Sequence, residues 1–316
     1  MTGAGGWLGS HLVRWLLNQP ANEKAKPAVF ALVRPGTDPW RLRDIQASLT
    51  LVECDLADRA ALDARLVAIL PDVCFHFAWY AVPGLYLRSN ENLEAVEASV
   101  FLALRLAQLE CRRFVGVGTC FEYAMRRERL SESDPTEPRS IYAASKLAFE
   151  LLLQQIAEAA QMRWLWARVF YQFGPHEDAR RLVPTVIRAI LAGEPALLTS
   201  GEQARDFLHV EDVAAAIGTA ASSRLDGIVN IGSGVPVRVA DLAMMIGAMT
   251  GHPELVRLGA RPNDPNDPPF VCADPSRLMS TGWRPTYNLE TGLANTIAWS
   301  RREFAGAGKT LSNERR

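Results

Sequence analysis

The chain has 316 residues, 48% of them hydrophobic and 22% charged, with a formal net charge of -1. That composition fits a globular protein with a sizeable core, and the absence of a long single-sign run excludes the electrostatic footprint of a nucleic-acid or anionic-membrane binder. Five cysteines without a Cys-x-x-Cys pair or a neighbouring histidine cluster exclude a disulfide framework and a metal site. With no apolar run of ~20 residues and no basic-then-apolar leader, the expected location is the cytoplasm.

The N-terminal run Thr2-Gly3-Ala4-Gly5-Gly6-Trp7-Leu8-Gly9 places glycines at 3, 6 and 9. This is the spacing of a turn that carries a strand into a helix beneath a dinucleotide pyrophosphate, with a tight bend, close backbone approach to phosphate and close helix packing. Leu8, Leu12, Val13, Leu16 and Leu17 follow at helical spacing. Only Met1 precedes Thr2. The expectation is therefore a truncated first strand, with the natural chain beginning about six to ten residues upstream. Without that strand, the strands at 28–33 and 72–77 lose the partner that joins them, and each unpaired buried backbone group costs ~1–3 kcal/mol.

Next comes Ala28–Val33, a short apolar run between Pro27 and Pro35-Gly36 that predicts a buried strand. Similar runs stand at Leu51–Cys54, Asp72–Phe77, Arg113–Val117 and Arg163–Val169, separated by helical patterns at 59–70, 87–110 and 142–160. Near-continuously apolar strands alternating with helices predict a doubly wound parallel α/β sheet of Rossmann type, covered on both faces. Past residue 170 the rhythm loosens, with breaks at Gly174-Pro175, Gly193–Pro195 and the proline-rich 261–269. The expected division is a dinucleotide-binding domain at 1–170 with a return segment at about 205–232, a smaller substrate lobe at 171–204 and 233–304, and a frayed tail at 305–316.

Within this frame Tyr142-Ala-Ala-Ser-Lys146 puts a phenol and an ammonium one helical turn apart on one face. A phenol ordinarily titrates near ~10, so passing a proton at neutral pH asks for a fall of about 3 pH units, or about 4 kcal/mol, much of which a neighbouring ammonium can supply. The chain keeps only four lysines, at 24, 26, 146 and 309, and uses arginine for nearly all its other positive charge. A compact, titratable point charge at 146 fits that exception. Twenty-three residues before Tyr142, a strand ends at Thr119, whose hydroxyl is placed to hold a substrate oxygen or to cap a turn.

Together with Asp55-Leu56, His76-Phe-Ala78, Arg205-Asp-Phe-Leu-His-Val-Glu-Asp212 and Asn230-Ile-Gly-Ser-Gly234, these motifs resemble an extended short-chain dehydrogenase/reductase of the nucleotide-sugar epimerase/dehydratase branch. The resemblance runs from Thr2 to about Trp299. It implies Tyr142 as acid/base, Lys146 as tyrosine tuner and cofactor-ribose ligand, and Thr119 as substrate-oxygen ligand. It also implies Gly3, Gly6, Trp7, Leu8 and Gly9 at the cofactor pyrophosphate, Asp55 and Leu56 at the adenine, and Ala78 among the cofactor contacts. Arg205 would meet the substrate diphosphate, a task suited to a bidentate guanidinium, or else form a salt bridge with Asp206 or Glu202. Asn230 joins it as a substrate residue, a homodimer is common in the family, and no metal is implied.

Three departures narrow the expectation. Dehydratases of the family follow the hydroxyl residue with Asp and Glu, whereas this chain has Cys120 and Phe121, so a 4,6-dehydratase is not expected. Tyr171 stands where many relatives carry Asn, so the sugar contacted there differs from the common ones. Residues 28–36 hold no acid and Arg34 follows Val33, which favours NADP over NAD. The expected function is hydride transfer on a nucleoside-diphosphate sugar, first as reduction of a 4-keto sugar. A nucleotide-sugar 4-epimerase and a non-catalytic cofactor-binding sensor or scaffold are the alternatives.

Overall fold

A computed structural model describes residues 1–19 and 27–313. Its first half alternates as expected: α1 (Trp7–Leu17), β1 (Phe30–Val33), a 3₁₀ segment at Trp40–Ser48, β2 (Thr50–Glu53), α2 (Arg59–Ile69), β3 (Val73–His76), α3 (Glu91–Gln108), β4 (Arg113–Thr119), α4 (Ile141–Ala160) and β5 (Arg163–Val169). Then follow β6 (Tyr171–Phe173), α5 (Leu182–Leu191), β7 (Ala196–Leu197), β8 (Ala204–His209), α6 (Val210–Ser222), β9 (Gly227–Ile231), β10 (Pro236–Arg238), α7 (Val239–Thr250), β11 (Val256–Arg257), β12 (Phe270–Val271), α8 (Ser276–Met279) and α9 (Leu289–Asn313). The chain from Ala305 to Asn313 is thus helical where the sequence predicts fraying, and residues 314–316 lie outside the described ones.

The parallel sheet forms in two parts, β1 with β2, and β3, β4, β5 and β9 in that order. The row expected to be left unpaired between them is bridged in part. Thr2 makes parallel bridges to Leu32 on one side and His76 on the other. Its N–H donates to Phe75 O at 2.9 Å, its carbonyl accepts from Phe77 N at 3.2 Å, and Leu32 N donates to Met1 O at 2.8 Å. Met1 and Thr2 thus tie β1 to β3 at these positions.

β4 and β5 are buried along nearly their whole length, as a central parallel strand must be. Alternate side chains feed opposite faces: Phe114 and Trp166 pack with Leu102, Leu106, Phe149 and Leu153, while Val115, Leu165 and Ala167 pack with Val213, Ile217 and Val229. A second core of Phe173, Val186, Ile187, Ile190, Leu242, Ile246 and Leu293 gathers α5, α7 and α9. Helix starts are fixed by side chains: Asp58 accepts from Ala61 N and Ser140 from Ala143 N.

The Thr2 side chain ties this junction to a buried histidine. His76 Nδ1 lies 2.8 Å from Thr2 Oγ1, and its Nε2 2.8 Å from Ser99 Oγ. Ser99 donates its own proton to Ala95 O, so Nε2 is assigned as the donor and Nδ1 as the acceptor from the threonine. Removing the hydroxyl leaves a buried ring nitrogen unpartnered. Thr2→Ala should therefore lower unfolding free energy by ~1–3 kcal/mol in denaturant titration, and Thr2→Ser by clearly less.

Burial holds His76 and His11 down to about 3 and His209 down to about 4. Each takes up a proton more readily when unfolded, near ~6.5, so stability present above that pH is lost as pH falls toward the folded values. Melting temperature should drop steadily between pH 6.5 and 4; a flat profile would contradict the neutral assignment of these rings.

Candidate active site

The glycine turn leads straight from Thr2 into α1. Gly3 has φ +65, and a Cβ there would lie 2.5 Å from Ala78 N, so only glycine lets the end of β3 pass this close. A Cβ on Gly9 would meet Gly3 O at 2.1 Å, which presses the first turn of α1 against the loop. Gly6 N donates to Gly3 O at 3.0 Å, and no side chain caps the N-terminus of α1. The main-chain N–H groups at the start of the helix are therefore left for an external acceptor, and the helix dipole favours an anion there. Trp7 and Leu8 are half-buried, with the Trp7 indole anchored by donation to Pro175 O at 2.7 Å. This cradle fits a dinucleotide pyrophosphate.

Around it, Ala78 N donates to Thr2 Oγ1 at 3.3 Å, and Asp55 accepts from Ala57 N at 3.0 Å beside half-buried Leu56. Arg34 is exposed immediately after β1 and has no ion-pair partner among the described residues.

Thr119 ends β4 and does what its alternative reading expected: its Oγ1 accepts from Phe121 N at 3.3 Å, capping a 3₁₀ turn at Cys120–Glu122. Glu122 completes a capping box by accepting from Thr119 N at 2.8 Å. The Thr119 hydroxyl proton remains available to a ligand. Lys146 reaches back from α4 to donate to Val117 O at 2.7 Å, with its Nζ 3.7 Å from the Trp79 ring centroid and 6.0 Å from that of Tyr142. Tyr142 packs edge-on against Tyr86, centroids 4.8 Å apart, and Arg181 lies over Tyr86 at 5.1 Å.

The expected electrostatics of this pair require correction. Burial, with Tyr86 and Glu122 nearby, pushes the Tyr142 phenol above its ordinary value. Burial pushes Lys146 down to about 7, opposed by the charge on Glu122. The ammonium is desolvated enough to weaken its own charge, so it does not by itself make the phenol acidic.

Behind these residues lies a buried ionic cluster that the sequence reading missed. Arg168 Nε donates to Glu122 Oε2 at 2.6 Å, its other branch reaches Glu150 at 3.3 Å, and its guanidinium covers the Tyr123 ring at 4.4 Å. The Thr-x-x-Glu spacing of a capping box was visible in the sequence; the partners of Glu122 were not.

Toward the second core, Arg205 is buried and pairs with Asp267 of the proline-rich loop, not with Asp206 or Glu202. Asp206 instead accepts from Ser233 N at 2.7 Å, Gly234 N at 2.9 Å and Ala273 N at 3.0 Å. Arg205 lies over the Tyr171 ring at 5.3 Å, and Tyr171 in turn meets Phe121 edge-on. Asn230 does not join them. It is fully buried, accepting from Tyr123 OH at 2.7 Å and donating to Leu130 O at 2.7 Å, so its amide is committed to packing. All five cysteines are buried and free. Among the described residues no three His, Cys, Asp or Glu are grouped to hold a metal ion, and no helix is long and apolar enough to cross a membrane.

Residues 1–232 match the model of the NAD dependent epimerase/dehydratase family. The chain is 28% identical to dTDP-glucose 4,6-dehydratase of Xanthomonas campestris pv. campestris over 78% of each chain. It superposes on the UDP-glucose 4-epimerase of Thermus thermophilus in complex with NAD with a TM-score of 0.81 at 25% identity, over 95% of this chain and 97% of the other. With the UDP-N-acetylglucosamine 4-epimerase of Methanobrevibacter ruminantium the TM-score is 0.84 at 26% identity, over 96% and 97%. A helix N-terminus left open by a glycine turn, a Tyr and Lys one turn apart, and a match over most of its length place this chain in the NAD-dependent epimerase/dehydratase family of nucleotide-sugar enzymes.

Proposed function

We propose that the chain exchanges hydride at a carbonyl or secondary alcohol of a nucleoside-diphosphate sugar. In this reading Tyr142 passes the proton, Lys146 holds the phenol and the cofactor ribose, and Thr119 holds the substrate oxygen. The observation that carries it is their convergence: Lys146 hangs on Val117 O at 2.7 Å, two residues before Thr119, and shares a helix face with Tyr142. A bound nicotinamide dinucleotide would supply the hydride chemistry. Gly3, Gly6, Trp7, Leu8 and Gly9 would hold its pyrophosphate, with Asp55, Leu56 and Ala78 at its other contacts. Arg205 and Tyr171 would hold the substrate, and the second core at 171–204 and 233–304 would form the substrate lobe.

Net reduction of a 4-keto sugar is the first reading, because Arg34 stands exposed where a carboxylate would meet the ribose of NAD, and a phosphorylated, exchangeable cofactor suits a reductase. Epimerisation at C4 is the second, favoured by the 4-epimerases among the relatives. Dehydration is disfavoured despite the dehydratase relatives: burial pushes the Cys120 thiol up to about 12, and Phe121 carries no proton, so neither protonates a leaving hydroxyl nor abstracts a carbon-bound proton.

Tyr142→Phe should lower turnover by about 10²–10⁴-fold while leaving cofactor affinity in calorimetry near that of the wild type. Unchanged turnover would remove the phenol from its role and favour a cofactor-binding scaffold. A screen of nucleoside-diphosphate sugars and their 4-keto derivatives with NADH and NADPH separates the readings. Net oxidation of NADPH, with Arg34→Asp shifting preference toward NADH, is the expected outcome; conversion without net redox change selects the epimerase.

A further inference from the structure

The proton-transfer pair leaves unused a carboxylate buried directly behind Thr119. Glu122 is 0% exposed, and its oxygens are fully engaged. Oε1 accepts from Thr119 N at 2.8 Å, Oε2 from Arg168 Nε at 2.6 Å, and the Trp166 indole donates toward both at 3.2 and 3.1 Å. Strand β4 is shaped around this group. A Cβ on Gly118 would stand 2.6 Å from Glu122 Oε1 and 2.2 Å from Trp166 Nε1, so the strand lacks a side chain where the carboxylate and indole meet.

A cap alone does not require a charge in so dry a place, and Arg168 already has Glu150 at 3.3 Å as a second carboxylate. The Glu122 carboxylate also meets the Trp166 indole, whose ring centroid lies 5.9 Å from Lys146 Nζ, and it accepts from Thr119 N two residues beyond the Val117 carbonyl that holds Lys146. The titratable groups that face Lys146 are His76 from β3, Glu122 after β4 and Tyr142 on its own helix, with Glu150 one turn further along α4. Burial holds His76 neutral and pushes Glu150 up to about 7. Glu122 is the group whose charge supports the ammonium against burial.

We propose that Glu122 is a positioning residue for the reaction: it fixes the Thr119 main chain at the end of β4 and supplies the negative charge that keeps Lys146 protonated beside Tyr142. This rests on the reading of Tyr142 and Lys146 as the proton-transfer pair. Lys146 then depends on its neighbour across the sheet edge for its charge, and turnover is lost on the alkaline side when that neighbour is neutralised.

The test is an NMR titration of lysine ε-carbons in the full-length protein, with and without NAD. The chain has only four lysines, and Lys146→Arg assigns the resonance. Wild-type Lys146 should titrate near about 7 without cofactor, and Glu122→Gln should lower its midpoint by about one pH unit or more. The alkaline limb of kcat should move with it, so that turnover at pH 8.5 falls roughly tenfold more than at pH 6, with Glu122→Asp restoring part of the loss.

An unmoved Lys146 midpoint in folded Glu122→Gln overturns the proposal, as does an equal fall in kcat at every pH. If Glu122→Gln does not fold, Glu122→Asp carries the test: a midpoint below the wild-type one supports the proposal, and the wild-type midpoint overturns it. Tyr142→Phe keeps the two levels apart. Full turnover in that variant removes the proton-transfer reading and this proposal together, whereas an inactive Tyr142→Phe with an unmoved Lys146 midpoint removes the proposal alone.

Discussion

The architecture depends on what happens at Thr2. Two half-sheets that share no strand are joined by Met1 and Thr2, of which Thr2 bridges Leu32 and His76 with its backbone and holds His76 with its hydroxyl. Because the next residue is Gly3, the same junction aims the first turn of α1 at the end of β3, where a Cβ would collide with Ala78 N. Sheet continuity and the uncapped N-terminus of α1 are therefore one geometric fact. The neutral His76 ring completes it, since a charged imidazole could not accept the threonine proton and would stand unsolvated beside Lys146.

A second constraint is desolvation where the end of β4 meets α4 and β5. Glu122, Glu150, Arg168 and Lys146 are all nearly buried, and each shifts the protonation of its neighbours. In such a place an ion survives only with partners of good geometry, and Arg168 has them: a 2.6 Å bond to Glu122 and the face of Tyr123. Lys146 has a carbonyl and an indole face but no carboxylate within salt-bridge reach among the described residues, which is why it alone of the two cations is pushed down.

Much of this was legible in the sequence, for identifiable reasons. The strands at β1 to β5 stand out because both faces of a central parallel strand are apolar, and the glycine turn because steric exclusion leaves few residue choices. The shared helix face of Tyr142 and Lys146 was readable from their four-residue spacing, while their roles were implied only by the family resemblance. What stayed hidden depended on long-range contact. The Arg168–Glu122 pair joins residues 46 positions apart, and the Arg205–Asp267 pair residues 62 apart. No local pattern encodes either partner. Asn230 shows the opposite failure: the resemblance implied a substrate residue, yet the fold spends its amide on Tyr123 and Leu130. At the junction where a first strand was expected, Met1 and Thr2 hold the bonds to β1 and β3 that a two-residue segment can reach, a pairing that no local pattern in the sequence announces.

Arg168 and Arg205, both buried, illustrate how the surroundings of a charge separate a permanent partner from an exchangeable one. A buried guanidinium needs a counter-charge at all times, so the informative quantity is how fixed the partner is. The Glu122 side chain is 0% exposed and held by four donated contacts, so Arg168 has no means of exchanging it for a ligand. The Asp267 side chain is 37% exposed and sits in a proline-rich loop, so the same chemistry at Arg205 leaves a carboxylate that another anion can replace without leaving the cation uncompensated. Under the proposed function Arg205 is thus kept neutralised but exchangeable between turnovers, while Arg168 is neutralised permanently and serves the strand that carries Thr119.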